Sequence, residues 1–247
     1  MLDSTYSCLR LGRIEIAKIL FLEEKIVDSE SIILDSKNIH YLKRVMRKKN
    51  GDKITIFNGK EQWEGKLNLS EATVKPERKT GFLEFVPDIH LYFSLLKNKQ
   101  MNFLIEKVCE IGVKKIIPIK TEFSENFNLN INRLKKIAIE AVEQSDGIFV
   151  PEIEKVTPLT DVLKKWDDNR KIFFCDEDRE GKRISKQKIK KQDSFALFIG
   201  PVGGWSLKDK TNFESLNINK INLGKNILKA DTAAIVCLSG LRDLIDE

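Results

Sequence analysis

The sequence predicts an α/β protein in which a small β-rich domain precedes a larger domain built on a mostly parallel sheet. Before Pro87, short runs of β-forming residues alternate with turn signals such as Asn50-Gly51-Asp52 and Asn58-Gly59. After Pro87, strand-like runs alternate with helical runs, which is typical of a parallel sheet covered on both faces. We therefore expect one domain over residues 1–86 and a second over residues 87–247.

The composition limits the classes of protein to which the chain can belong. A chain of 247 residues with 41% hydrophobic content can bury one large core or two modest ones. No apolar run approaches the ~20 residues of a membrane span, and the amino terminus does not resemble a signal peptide. For these reasons we expect a protein that does not bind a membrane. We also expect it to be reduced, cytoplasmic and free of metal, because its cysteines are far apart and lack metal-ligand spacing. They are Cys8, Cys109, Cys175 and Cys237.

The amino-terminal part reads as strands with one helix between them. Runs such as RIEIAKILFL, DKITIFNG and EQWEGKLNLS predict a small β-barrel or sandwich. The helix is predicted in SKNIHYLKRVMRKK, with Ser36 as its N-cap. Its apolar stripe, at spacings of three and four, consists of Ile39, Leu42, Val45 and Met46.

Two segments concentrate positive charge. Residues 37–53 contain seven basic side chains against Asp52, and residues 179–191 contain seven against Glu180. Clusters of this kind neutralise phosphates and attract a polyanion, and an ordinary solvated lysine-rich face is the alternative for each. The first cluster lies on the predicted helix and just beyond it.

The second domain begins with a strand, IHLYFSLL, and a helix that ends at Gly112. The buried face of that helix is predicted to consist of Met101, Leu104, Ile105, Val108 and Cys109. After the strand VKKIIPIKTEF, a second helix approaches Gly147. Its apolar face is Leu134, Ile137, Ala138, Ala141 and Val142.

The remaining elements continue the alternation. A strand IFVPEIEKV precedes a short helix near residues 160–166, and the strand KIFFCDE follows. The strand FALFIG leads to a helix capped by Ser206, with Asp209 three residues later. The strand KINLG then leads to a last helix from Asp231.

The loop Gly200-Pro201-Val202-Gly203-Gly204 follows a predicted buried strand, and ligands of parallel sheets bind beyond the carboxyl ends of strands. The loop lacks the Lys-Ser/Thr ending of a P-loop, the second glycine of a dinucleotide fingerprint and the closing glycine of a nucleophile elbow. A tight strand-to-helix turn is the alternative explanation. A second loop of similar design, INLGKNILKADTAAI, makes a binding site the stronger interpretation.

These two loops carry a resemblance to a known family. IGPVGG and LGKNILKADTA are similar to the signature of the bacterial 16S ribosomal RNA uridine-N3 methyltransferases of the SPOUT superfamily. EKVCEIGVKKIIPI resembles a further block of the family, as do EAVEQS with Val150-Pro151-Glu152, and His40 with VMRKKNGDKITIFNG. The blocks occur in the family's order and span nearly the whole chain.

The resemblance implies an amino-terminal PUA-like β-barrel that grips RNA and a carboxy-terminal α/β trefoil-knot domain. It further implies a homodimer that uses S-adenosylmethionine, without a metal, to methylate uridine N3 in the 16S ribosomal RNA of the small subunit. The implied cofactor residues are Ile199, Gly200, Gly203, Gly204, Leu223, Gly224, Ile227 and Leu228. The predicted RNA-binding residues are His40, Lys43, Arg44, Arg47, Lys48 and Lys49.

Lys229 is the main catalytic candidate, because a cation beside the uracil carbonyls would stabilise the charge that develops when N3 loses its proton. Asp231 and Glu143 are further candidates. The chain departs from the family where Val202 replaces a glutamate, where Gly147 replaces an arginine, and where Lys229-Ala230-Asp231 replaces arginine, threonine and glutamate. These departures motivate an alternative, a weakened or inactive relative that acts as an RNA-binding ribosome assembly factor. A small-molecule nucleotide-binding protein is disfavoured because phosphate motifs are absent from the sequence.

Overall fold

The computed structural model describes residues 19–125, 129–178 and 180–246. The chain divides into two compact units, Met1–Gly81 and Phe82–Glu247. Cys8, Arg179 and residues 13–18 of the first predicted strand lie outside the described residues. None of the helices that the described residues form is long and apolar enough to cross a bilayer.

The first unit is built on a five-stranded sheet in the order β1-β3-β4-β5-β2. Strand β1 runs parallel to β3, whereas β3 and β4 pair antiparallel, as do β2 and β5. The core below the sheet includes the fully buried side chains of Leu42, Ile56 and Val74. The strands are β1 (Ile19–Phe21), β2 (Ile32–Ile33), β3 (Lys53–Phe57), β4 (Glu61–Asn68) and β5 (Thr73–Phe82).

The N-cap of the helix in this unit lies one residue earlier than predicted. Helix α1 spans Ser36–His40, and its N-cap is Asp35, whose carboxylate accepts a hydrogen bond from the Asn38 backbone N–H at 2.7 Å. The prediction of Ser36 as the cap is wrong, because the carboxylate of the preceding residue already fills that role.

A π-helical turn, Tyr41–Val45, follows α1 and shifts the predicted apolar stripe. The Met46 N–H donates to the Tyr41 carbonyl, five residues back, so the turn contains more residues than an α-helical turn. Leu42 and Met46 are buried as predicted, but Val45 is 58% exposed because the wider turn rotates it outward.

The second unit contains a parallel sheet in the order β12-β10-β11-β6-β7-β8, with β9 also pairing to β7. The predicted α/β class with a mostly parallel sheet is confirmed. Its strands are β6 (Ile89–Ser94), β7 (Lys115–Lys120), β8 (Glu152–Ile153), β9 (Thr157–Pro158), β10 (Arg170–Cys175), β11 (Ser194–Ile199) and β12 (Ile218–Ile221). Its helices are α2 (Asn98–Ile111), α3 (Ile131–Gln144), α4 (Leu159–Lys164), α5 (Leu207–Thr211) and α6 (Ala230–Asp246).

Helix α2 buries the whole predicted face, and its C-cap is Gly112 at a positive φ of 98°. Helix α3 also buries its predicted face, except that Ile137 is only half-buried. Asp146, not Gly147, takes the positive φ after α3, and the Gly147 N–H donates to the Val142 carbonyl. In the basic segment, the described residues form a short 3-10 turn, Ile184–Lys186.

Candidate functional site

Three neighbouring strands of the second unit end at the same edge of the sheet. The register pairs Cys175 of β10 with Ile199 of β11 on one side and with Ile221 of β12 on the other. The loops that follow these strands therefore lie side by side, where parallel sheets place ligands.

A cavity of about 300 Å³ lies between these loops and the first turn of α6. All the predicted cofactor residues except Gly203 line it, and so does the catalytic candidate Lys229. The predicted residues on its wall are Ile199, Gly200, Gly204, Leu223, Gly224, Ile227, Leu228 and Lys229. The sequence therefore predicted most of one wall of the cavity.

Gly200 is required by the protein's own packing. The Trp205 indole is buried, and its Nε1 donates a hydrogen bond to the Cys175 carbonyl at 3.0 Å. A Cβ on Gly200 would lie 2.8 Å from that Nε1, closer than real Cβ atoms approach other atoms. The glycine thus lets the indole close the loop between β11 and α5 against the end of β10.

Gly204 combines two reasons for a glycine. Its φ is +79°, a conformation that residues with a side chain rarely adopt, and its N–H donates to the Pro201 carbonyl in a tight turn. A Cβ at this position would lie 2.6 Å from Oε1 of Glu177. The glutamate of the β10 loop therefore packs directly against the glycine loop.

Ser206 caps α5 as predicted. Its Oγ accepts from the Asp209 N–H at 3.0 Å and donates to Asp209 Oδ2 at 2.9 Å. Asp209 Oδ2 also accepts a hydrogen bond from the Glu122 backbone N–H at 3.2 Å. This buried carboxylate ties the glycine loop to the segment after β7.

Asp176 and Glu177 also line the cavity, and the sequence reasoning missed both. The side chain of Asp176 is only 3% exposed. Burial, and then the neighbouring Glu177 carboxylate, raise the pKa of Asp176 to about 6. The signal that could have found them is an acidic pair placed directly after a strand of a parallel sheet.

The other catalytic candidates do not line the cavity. Asp231 lies in the first turn of α6, where its Oδ1 accepts a hydrogen bond from the Thr232 N–H at 2.8 Å. Glu143 lies half-buried near the end of α3. Lys229, in contrast, lines the cavity and is exposed at its rim. Its carbonyl accepts a hydrogen bond from the Ala233 N–H at 2.7 Å, so α6 begins directly after it.

Two of the departures from the family have clear structural positions. Val202 lines the cavity and is 66% exposed, so an apolar side chain stands at the rim. Gly147 lies beyond the cavity wall, just after α3, and a Cβ there would lie 3.1 Å from Val142 Cγ1.

The predicted RNA-binding residues lie around the π-helical turn of the first unit. His40, Lys43, Arg44, Arg47 and Lys49 are exposed, and Arg47 adopts a positive φ of 53°. Lys48 is half-buried, and its Nζ donates to the Lys53 carbonyl at 2.9 Å. These residues form the basic patch of the first unit.

The match to known proteins covers both units. A family model described as an RNA methyltransferase domain matches residues 84–242, and one described as an RNA methyltransferase PUA domain matches residues 34–77. The ribosomal RNA small subunit methyltransferase E of Rickettsia conorii is 30% identical over 233 residues, which cover 90% of this chain and 94% of the relative. The enzyme of that name from Buchnera aphidicola subsp. Acyrthosiphon pisum is 26% identical over 244 residues, which cover 92% of this chain and 94% of the relative.

A solved structure shares the fold. The ribosomal RNA small subunit methyltransferase E from Neisseria gonorrhoeae, bound to S-adenosyl methionine, superposes with a TM-score of 0.81 at 21% identity. The match covers 92% of this chain and 97% of that one.

Proposed function

The chain belongs to the RNA methyltransferase family, and we propose that it transfers a methyl group from S-adenosylmethionine to N3 of a uridine in 16S ribosomal RNA. The observation that carries the proposal is the cavity at the ends of β10, β11 and β12. Both loops that resemble the family signature line this cavity. The names of the relatives support the small-subunit RNA as the substrate.

The residues of the cavity fit the proposed cofactor. A volume of about 300 Å³ is within the range of small-molecule sites. Ile199, Leu223 and Leu228 offer apolar surface for an adenine ring, and Gly200 and Gly224 leave backbone groups accessible beside it. We expect recognition mainly by backbone atoms, because most of the predicted cofactor residues carry apolar side chains or none.

The methyl group of S-adenosylmethionine is bonded to a positively charged sulfur, which makes the rest of the cofactor a good leaving group. The protein must then hold the uracil base in line and stabilise the charge that develops as N3 loses its proton. Lys229 lines the cavity at its rim and is exposed. We assign it the stabilisation of that charge.

The basic patch of the first unit serves RNA binding in this proposal. Among the described residues of this unit, ion pairs join Lys53 and Arg78 to Glu64 and join Lys79 to Glu61, on β3, β4 and β5. The guanidinium groups of Arg44 and Arg47 stand exposed on and just after the π-helical turn, where phosphates can reach them. The patch supplies affinity for the backbone, and the cavity supplies the chemistry.

A homodimer, the trefoil knot and a cytoplasmic location are parts of the same proposal, supported by the family resemblance. The segment AAIVCLSGL of α6 is apolar and rich in small residues, which suits a dimer contact. It is largely used within the subunit, because Ala234, Cys237, Leu238 and Leu241 are buried there. Val236 remains exposed on this helix. Sedimentation at micromolar protein with cofactor present tests the dimer, and a stable monomer would contradict it.

The enzymatic activity is tested by tritiated methyl transfer to small ribosomal subunits that lack the modification. Digestion of the RNA should release labelled 3-methyluridine. If the protein binds S-adenosylmethionine and the RNA but transfers no methyl group, the alternative of a non-catalytic assembly factor is favoured. If it binds no cofactor, the proposed function is wrong.

A further inference from the structure

Asp176 has an unusual position for a carboxylate. It follows β10 directly, lines the cavity, and has a side chain that is 97% buried. Among the described residues, no donor faces its Oδ1. A buried carboxylate oxygen without a donor is unfavourable, so a group that enters the cavity and donates a hydrogen bond to Oδ1 would be held strongly.

Lys210 compensates the charge of Asp176 and contacts only one of its two oxygens. The Nζ of Lys210 lies 3.0 Å from Asp176 Oδ2 as an ion pair, and it donates its hydrogen bond to Asp178 Oδ2 at 3.1 Å. It also lies 3.6 Å from Glu177 Oε1. What Asp176 lacks is therefore a donor at Oδ1 rather than an opposite charge.

The position of Lys210 also argues against a cation as the missing ligand. The ligand atoms of Asp176, Glu177 and Asp178 lie within 4.8 Å of one another, close enough to surround a metal ion. The ammonium of Lys210 contacts all three carboxylates and already occupies the cationic position. A metal ion or a second ammonium would have to displace it, whereas neutral hydroxyl groups would not.

The register of the sheet places Asp176 beside the glycine loop. Cys175 is paired with Ile199, so the residues that follow them, Asp176 and Gly200, leave the sheet next to each other. In doubly wound α/β proteins, an acidic residue at the end of the strand beside a glycine loop accepts hydrogen bonds from a ribose hydroxyl. The arrangement here has the same parts on adjacent strands.

We propose, on the basis of the function proposed above, that Asp176 accepts hydrogen bonds from the two ribose hydroxyls of the adenosyl group. The vicinal hydroxyls provide one neutral donor for the unsatisfied Oδ1 and a second for the lone pair of Oδ2 that Lys210 leaves free. Glu177 packs against Gly204 and keeps the β10 loop in contact with the glycine loop. Asp176 is thus a binding residue that positions the cofactor and selects ribonucleosides over deoxyribonucleosides.

The test is isothermal titration of three probes into the unmutated protein, Asp176→Asn and Asp178→Asn. The probes are S-adenosylhomocysteine, 5′-methylthioadenosine, which lacks the amino acid but keeps the diol, and the 2′,3′-dideoxy analogue of 5′-methylthioadenosine. We expect Asp176→Asn to weaken the first two probes alike, by roughly tenfold to a hundredfold, as for hydrogen bonds to a charged group. Binding of the dideoxy probe should be weak in the unmutated protein and unchanged by the substitution.

Asp178→Asn is the matched control, because Asp178 contacts the same Lys210 but does not line the cavity. It should leave the affinity for all probes within about twofold, well below the loss of a hydrogen bond to a charged group. Loss of S-adenosylhomocysteine binding alone would assign Asp176 to the amino-acid part and overturn the proposal, as would unchanged binding of all probes. If Asp176→Asn does not fold, equal binding of the diol and dideoxy probes to the unmutated protein overturns it. An unmutated protein that binds none of the probes refutes the proposed function itself.

Discussion

Arg170 Nη2 donates a hydrogen bond to Asp88 Oδ2 at 2.8 Å and ties the start of β10 to the residue before β6. Ser194 Oγ donates to the same oxygen at 2.6 Å, so the start of β11 joins the contact. Burial by itself raises the pKa of Asp88, but hydrogen bonds from Ser194, Arg170 and Lys114 lower it well below its usual range. The network fastens the amino ends of three central strands whose carboxyl ends carry the cavity or its neighbouring loops.

Replacing Asp88 should therefore destabilise the second unit. Asp88→Asn leaves the largely buried guanidinium of Arg170 without its counter-charge, and we expect a loss of about 2–3 kcal/mol in unfolding free energy. Chemical denaturation followed by circular dichroism measures the loss. The control is Asp161→Asn, whose pairing with Lys164 at 3.9 Å is exposed and should contribute less than ~0.5 kcal/mol. Equal midpoints for both variants would show that the network is not a stabilising one.

The lowered pKa of His90 predicts that the second unit loses stability in acid. Burial, and then Arg170, lower the pKa of His90 to about 4, although Asp88 raises it; Lys115 and Lys114 also lower it. The unfolded chain takes up this proton near pH 6.5 but the folded protein only near pH 4, so stability is full above pH 6.5 and falls as the pH drops. We expect a loss of about 2 kcal/mol over this range after discounting for solvent screening. Unfolding free energies of the unmutated protein and His90→Gln should diverge in slope there, and parallel pH profiles would contradict the prediction.

The repeat of apolar residues was sufficient to predict helices that follow regular α-helical geometry. The buried face of α2 and the stop at Gly112 follow from a 3.6-residue repeat and a positive φ that favours glycine. The exposure of Val45 could not be predicted from that repeat, because a π-helical turn interrupts it. Ser36 was predicted as the N-cap of α1, but Asp35 fills that role. Both residue types cap helices well, so local sequence does not decide between them.

The cavity was predictable through its glycine loops and not through its acidic side. The reason for Gly200 is the indole of Trp205, five residues on, and the glycine loop alone does not show that contact. The lack of a donor at Asp176 Oδ1 arises only when β10 and β11 pair and Lys210 lies against Oδ2. Such a state depends on tertiary geometry, so a sequence can suggest an acidic residue near the site but not its unsatisfied oxygen.

The basic patch makes a prediction about salt dependence. Arg47→Glu combined with Lys48→Glu should weaken binding to many RNA sequences alike and lower the salt slope of the affinity by about one unit per lost phosphate contact. Filter binding of 16S RNA fragments between low and physiological salt measures both quantities. Lys60→Glu with Lys75→Glu makes the same charge change at exposed positions of the same unit and serves as the control. Equal affinities for the two double variants would remove the patch from RNA binding.

The last prediction concerns Lys229 at the cavity rim. If its charge acts only in the transition state, Lys229→Ala should bind S-adenosylmethionine nearly normally yet lose about a hundredfold in both kcat and kcat/KM, or ~3 kcal/mol. Lys229→Arg should retain activity, because the guanidinium keeps the charge and adds a planar fork for the uracil carbonyls. Lys225→Ala, in the same loop but not lining the cavity, is the control and should stay within about twofold, as expected when no transition-state contact is lost. Methyl transfer to unmodified small subunits and parallel cofactor titration separate the effects. Full turnover in Lys229→Ala would exclude the residue from the chemistry, and lost cofactor affinity would make it a binding residue instead.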